Sequence, residues 1–230
     1  MKEYLWETHL HTAETSRCGI TPAAEMVFAC KERGYSGLVV TDHFLNGYNR
    51  APEKASWQKR VDIMLRGYKA AKQAGDLLGV VVLCGCEFAD NGADYLTYGV
   101  GEDFWRDQPD LADIGVDEYV KRVHAAGGLV SQAHPYRNAW YMPKKIIPRW
   151  DIVDAVEVFN GSHTADQRQW DRDALALAQA HNLLETAGSD VHNSAHAETA
   201  GISFSTRIVT DADFLAALRA RTGTIVRNRI

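Results

Sequence analysis

The sequence is poor in cysteine, with four in 230 residues: Cys18, Cys30, Cys84 and Cys86. None has Cys-x-x-Cys spacing. Cys84 and Cys86 would share one face of a strand and are expected as small buried residues in a reducing cytoplasm, with a structural zinc–thiolate site as a minor reading. No apolar run approaches the roughly 20 residues of a membrane span. The opening Met-Lys-Glu-Tyr-Leu-Trp-Glu carries no signal-peptide core, so a cytoplasmic protein without a membrane partner is expected. There is no basic run or stripe, and the net charge is −5. Stable nucleic-acid binding is therefore not expected, although action on small phosphoesters remains open. No linker, repeat or low-complexity stretch divides the chain. Residues 1–230 read as a single domain, long enough for one filled core. Nothing in the sequence speaks to oligomeric state.

What the sequence does contain is an alternation of apolar runs and helical patterns. Tyr4 to His11 reads as a strand in which His9 and His11 share a face, two imidazoles placed as a metal chelate. Thr21-Pro22 opens a helix that stops at Gly34. Gly37–Thr41 is a continuous apolar strand ending in Asp42-His43. A helix is expected from about Glu53 to Ala74, closed by Gly75. A buried strand, Val80–Cys86, then ends in Glu87. Asn91-Gly92 marks a turn before a strand at Tyr95–Val100, with Asp94 at its start. A short helix at Asp117–Ala126 precedes the strand Leu129–Ala133, which leads into His134-Pro135. Tyr136–Trp150 is aromatic, basic and proline-marked, and reads as a functional loop. The strand Ala155–Phe159, a helix at Thr164–His181 and a strand at Leu183–Gly188 follow, the last running into Ser189-Asp190-Val191-His192. A strand near Ser203–Val209, a helix near Ala212–Arg221 and a short strand at Thr224–Val226 complete the chain. Such alternation implies parallel β-α units, and about seven of them fit a closed or distorted β/α barrel.

His9, His11, His43, Glu87, His134, Asp190 and His192 all fall at or just past the C-terminal ends of these strands, the face on which β/α barrels build active sites. At Thr8-His9-Leu10-His11-Thr12, Val40-Thr41-Asp42-His43, Gly85-Cys86-Glu87, Ala133-His134-Pro135 and Gly188-Ser189-Asp190-Val191-His192 the sequence resembles the PHP family, the polymerase and histidinol phosphatase domains. The resemblance runs from residue 8 to residue 192, in order and spacing.

It implies a stand-alone α/β domain, a distorted seven-stranded (β/α)7 barrel of TIM-barrel type. It also implies two to three divalent ions (Zn, Mn or Fe) and hydrolysis of a phosphate ester by a hydroxide generated at a di- or trinuclear centre. Carried over by position, His9, His11, Glu87 and Asp190 would hold a first ion. Glu87 would bridge to a second, completed by His134, and His43 and His192 would hold a third. Two positions depart from the family pattern. Where many members place a His or Asp after the His-x-His pair, this chain offers Glu14, with Cys18 behind it. Where members often carry a His about seven residues after the bridging Glu, it has Asp94. More carboxylates and fewer imidazoles would suit Mn or Fe as well as Zn.

Glu87 and Asp190 would act at the reacting centre, and Arg17 and Arg137, in loops beside expected ligands, could each clamp the phosphate of a small substrate. Asp42 is expected to orient a neighbour rather than bind metal. His124 reads as structural, His181 as a surface helix end and His163 as a loop histidine. His196 is a candidate substrate contact. Two rival readings stand beside the phosphoesterase. An amidohydrolase-like enzyme would favour a carbamylated lysine at a strand end, and no expected strand ends in Lys. A non-catalytic, metal-stabilised module has the full ligand set against it.

Overall fold

The computed structural model describes residues 2–140, 142, 145–196 and 200–227. Among the described residues, one sheet of nine strands runs in the order β7-β6-β5-β4-β3-β2-β1-β8-β9. The strands are β1 (Tyr4–Glu7), β2 (Tyr35–Val40), β3 (Val81–Asp90), β4 (Ala93–Tyr98), β5 (Leu129–Gln132), β6 (Ala155–Asn160), β7 (Leu184–Gly188), β8 (Ala200–Phe204) and β9 (Gly223–Arg227). The helices are α1 (Ala23–Glu32), α2 (Trp57–Met64), α3 (Arg66–Leu78), α4 (Glu102–Arg106), α5 (Val116–Ala125), α6 (Arg168–Ala180) and α7 (Asp211–Arg219).

The α/β barrel-like form agrees with the expectation, but the sheet has nine strands where seven were expected. β1 to β7 lie side by side in chain order, and β8 and β9 extend the β1 edge as antiparallel neighbours. β4 is antiparallel to both β3 and β5, so the middle of the run is not built from β-α units. Asn91 (φ 51°) and Gly92 (φ 87°) form the β3–β4 turn, the paired left-handed residues that a tight hairpin needs. β3 therefore continues three residues past Glu87, which sits within the strand rather than at its end.

The barrel closes at its rim. Beyond β1, Leu10 bridges in parallel to Val191. The His11 N–H donates to the Val191 carbonyl (3.0 Å), and the Asp190 N–H donates to that of His9 (2.8 Å). The expected strand Tyr4–His11 thus ends at Glu7, and His9 and His11 stand on an extension held by these bonds.

Elsewhere, the expected helix Glu53–Ala74 breaks at Leu65 into α2 and α3. Gly75 does not terminate it. It lies inside α3, where a Cβ would come within 2.6 Å of the Val80 carbonyl oxygen, and Gly79 (φ 73°) ends the helix instead. One end of the barrel is filled by Phe214 of α7, whose ring packs on Trp6 (5.3 Å between centroids), Tyr98 (5.6 Å) and Phe204 (6.1 Å). Cys84 and Cys86 are buried free thiols, as expected; Cys30 is buried as well, while Cys18 is partly exposed.

Candidate metal centre

At the rim opposite α7, side chains converge on Glu87, which is 2% exposed. Its Oε1 lies 3.2 Å from His9 Nε2 and 3.6 Å from His134 Nε2. Its Oε2 lies 2.9 Å from His43 Nδ1 and 3.4 Å from His11 Nε2. Asp190 Oδ1 is 3.4 Å from both His9 Nε2 and His11 Nε2, and those two nitrogens are 3.3 Å apart. His192 stacks on His11 with centroids 4.4 Å apart. Asp94 stands at the edge, its Oδ2 3.9 Å from His134 Nε2.

Hydrogen bonding fixes which nitrogens point inward. His9 Nδ1 meets Glu157 Oε1 at 2.9 Å, which leaves Nε2 as the lone-pair atom. Ser16 Oγ donates to Asp42 (2.6 Å), so it accepts from His11 Nδ1–H (3.3 Å) and from the His43 N–H (3.0 Å). His11 therefore also presents Nε2. His192 Nδ1 donates to the Asp190 carbonyl at 2.8 Å, freeing Nε2 as well. Asp42 thus orients its neighbours, as expected, by holding Thr12 and Ser16.

Two observations fit this set to a divalent cation. Donor atoms on a tetrahedral ion at about 2.0–2.1 Å lie roughly 3.3 Å from one another, close to the separations among His9, His11, Glu87 and Asp190. In addition, His43 Nδ1 and Glu87 Oε2 are buried and, although 2.9 Å apart, make no well-formed hydrogen bond with each other or with any other group. Leaving such polar atoms unpaired costs about 1–3 kcal/mol each. Three triads, His9–His11–Asp190, His9–Glu87–His134 and His11–His43–Glu87, could each hold an ion, as could His11–Cys18–His192.

Electrostatics divide the set: without an ion, the carboxylates Glu87 and Asp190 are held ionised and His11 unprotonated, whereas the acids around His9, His43 and His192 favour their protonated forms, in which a proton takes the place a cation would. Burial and the facing His192 push His11 down to about 3, which keeps its nitrogen unprotonated. Burial opposes charge on Glu87 and Asp190. The surrounding histidines outweigh it for Glu87, and His9 with Arg137 for Asp190, so both stay well below the usual carboxylate range. His9 is held well above its ordinary value: burial lowers it, but Asp190, Glu157 and Glu87 prevail. Burial, then the Glu87 charge, lift Asp94 to about 7. His134 (φ 27°) and Asp190 (φ 54°) both adopt the left-handed region, which is costly for a non-glycine residue and is held here by the packing around the cluster.

Two expected site residues stand apart. Glu14 does not join the cluster. Both its carboxylate oxygens accept the Ala23 N–H at 3.0 Å, capping α1, while Thr21, expected as the cap, pairs with Ser194 instead. The free N–H groups of a helix start attract a carboxylate, and the loop carries Glu14 to them. Cys18 takes the inward position. Arg17 is exposed and lies over the Tyr48 ring. Arg137 does reach the centre, its Nη2 2.7 Å from Asp190 Oδ2 and 3.0 Å from Ser162 Oγ.

Other residues escaped the sequence reading. Glu157, buried in β6, holds His9 and accepts the His134 N–H (3.0 Å) and Asn160 Nδ2 (2.9 Å). The one available signal was an acid in the middle of an apolar strand. His163 lies in the loop after β6, as expected, but it is buried; Nδ1 meets Asp171 at 2.7 Å, and Nε2 accepts from Arg137 Nε at 3.3 Å. His124 pairs with Asp154, and His181 stacks on Trp150. The side chain of His196, and Tyr141, Pro143 and Lys144 of the expected loop, lie outside the described residues. A cavity of about 570 Å³ opens beside Asp190 and His192, lined also by Arg137, Trp140, His163 and Trp170.

A two-domain protein from Bacteroides vulgatus containing a predicted PHP-like metal-dependent phosphoesterase superposes with a TM-score of 0.76 at 13% identity. The match covers 99% of this chain and 65% of that one, so this chain spans just under two thirds of its length. Residues 168–222 match the model of the PHP-associated family. The chain has the fold of a PHP domain. The same PHP fold appears in a protein from Bifidobacterium adolescentis assigned as a metal-dependent phosphoesterase (TM-score 0.59, 17% identity, 94% of this chain and 96% of that one). It also appears in a lesion-specific endonuclease from Pyrococcus furiosus (TM-score 0.66, 14% identity, 99% and 58%). No curated protein matches the chain in sequence. Among the described residues, no helix is long and apolar enough to cross a membrane.

Proposed function

We propose that this PHP-fold chain is a metal-dependent phosphoesterase whose centre is organised by Glu87. The observation that carries the reading is the convergence of His9, His11, His43, His134 and Asp190 around the buried Glu87 carboxylate at ligand-like separations. His9, His11, Glu87 and Asp190 would hold one divalent ion. Glu87 and His134, with Asp94 beside them, would hold a second, and His43 and His192 a third. Such ions lower the pKa of coordinated water towards about 7 and neutralise phosphate charge.

The chain supplies orientation. Glu157, Ser16 and the Asp190 carbonyl fix the tautomers of His9, His11 and His192. Arg137 lines the cavity in which a small phosphorylated substrate would sit, and a guanidinium there suits non-bridging phosphate oxygens. His163 and Asp171 hold that guanidinium in place.

The test is turnover of p-nitrophenyl phosphate and bis-p-nitrophenyl phosphate after Mn or Zn is supplied. Turnover lost in His9→Ala and Asp190→Ala, with the fold retained, supports the proposal. Preference between the two esters separates a phosphatase from a phosphodiesterase; the endonuclease fold relative makes the diester arm worth including. Bound metal with no turnover of either ester argues for a non-catalytic module.

A further inference from the structure

We propose that Cys18 supplies a sulfur ligand to the ion position lined by His11, His43 and His192, making it a nitrogen–sulfur site for a thiophilic cation such as zinc or iron(II). The inference rests on the metal-centre reading above and concerns which ligand closes it.

The loop carrying Cys18 is built to hold the thiol in place. The Arg17 N–H donates to the Tyr48 carbonyl (2.9 Å), the Gly19 N–H to that of Ser16 (3.2 Å), and the Ile20 N–H to that of His192 (2.8 Å). Gly19 packs so tightly that a Cβ would fall 2.2 Å from the Thr12 carbonyl oxygen. Between these anchors, the sulfur lies within 4.8 Å of ligand nitrogens of His11 and His192, and the His11 ring packs on those of His192 (4.4 Å between centroids) and His43 (4.7 Å). Buried Glu87 Oε2 faces the same His11–His43 pair, 3.4 Å from His11 Nε2 and 2.9 Å from His43 Nδ1.

Oxygen competitors are committed elsewhere. Glu14 caps α1, and both Asp42 oxygens are bonded to Thr12 and Ser16. A thiolate among imidazoles favours zinc or iron(II), whereas magnesium and manganese prefer oxygen donors.

Cobalt(II) is the probe, because cobalt–thiolate bonds absorb in the near ultraviolet and cobalt–imidazole bonds do not. The full chain loaded with cobalt is expected to show that band, and Cys18→Ser to lose it together with one equivalent of ion, with circular dichroism unchanged. Zinc is also expected to slow iodoacetamide alkylation of Cys18 by roughly tenfold or more. The other three cysteines are buried and do not obscure the readout. Cobalt uptake without the sulfur band, or a band that survives in Cys18→Ser, overturns the role of Cys18 and leaves the phosphoesterase reading standing. No cobalt uptake by the wild-type chain overturns both.

Discussion

Glu157 acts through atoms other than its own: it locks the His9 ring and receives the backbone N–H of His134 from the end of the neighbouring strand β5. Partners of this kind typically contribute 10–100-fold to metal affinity. Glu157→Gln is therefore expected to weaken ion binding by about that factor in a metal titration while the protein stays folded; unchanged affinity would remove Glu157 from the site. Arg137→Ala is expected to raise KM for a phosphate ester with metal content unchanged. Loss of metal instead would mean that its 2.7 Å contact with Asp190 is its main role. Glu14 makes the opposite case. Because it caps α1, Glu14→Gln is expected to leave metal content intact and to cost about 1 kcal/mol or less in a denaturation experiment. Loss of an ion would return it to the ligand set.

At the scale of elements, β1 and β2 approach so closely that Gly37 has no room for a side chain: a Cβ would sit 2.3 Å from the Trp6 ring. Gly37→Ala is expected to destabilise the chain by about 1–3 kcal/mol, read as a shifted urea midpoint; a neutral result would mean that the Trp6–Phe214 packing yields easily. The placement of the site was legible in the sequence because strand ends announce themselves. Apolar runs stop at Asp42-His43, His134-Pro135 and Asp190-Val191-His192, and the rim closure draws those stops together. Strand direction was less legible. Asn91-Gly92 signals a turn, but the apolar pattern of a buried strand is the same whether its neighbour is parallel or antiparallel, so the β3–β4 hairpin and the β8–β9 pair were absorbed into β-α counting. Glu14 and Cys18 lie in one irregular loop, and which of them turns inward depends on the N-terminus of α1, a tertiary contact with no sequence signature. Glu157 was hidden for a related reason: a single acid in an apolar strand reads as an interruption until the barrel closes over it.

Over the whole molecule, the rim concentrates buried Glu87, Glu157 and Asp190 beside four histidines, His9, His11, His43 and His134. A fold that must bury these groups gains from any cation that binds only the folded form, by about 2.7 kcal/mol at a ligand concentration 100 times Kd. Chelation is thus expected to lower Tm by several degrees, and zinc or manganese to restore it, with magnesium much less effective. The measurement that tests the central claim most directly is metal content per chain after purification and dialysis, comparing wild type with Asp190→Ala. The account predicts two to three tightly held divalent ions in the wild type and loss of at least one in the variant, with the fold intact. A wild-type chain that retains none, even after reconstitution with zinc or manganese, would contradict it.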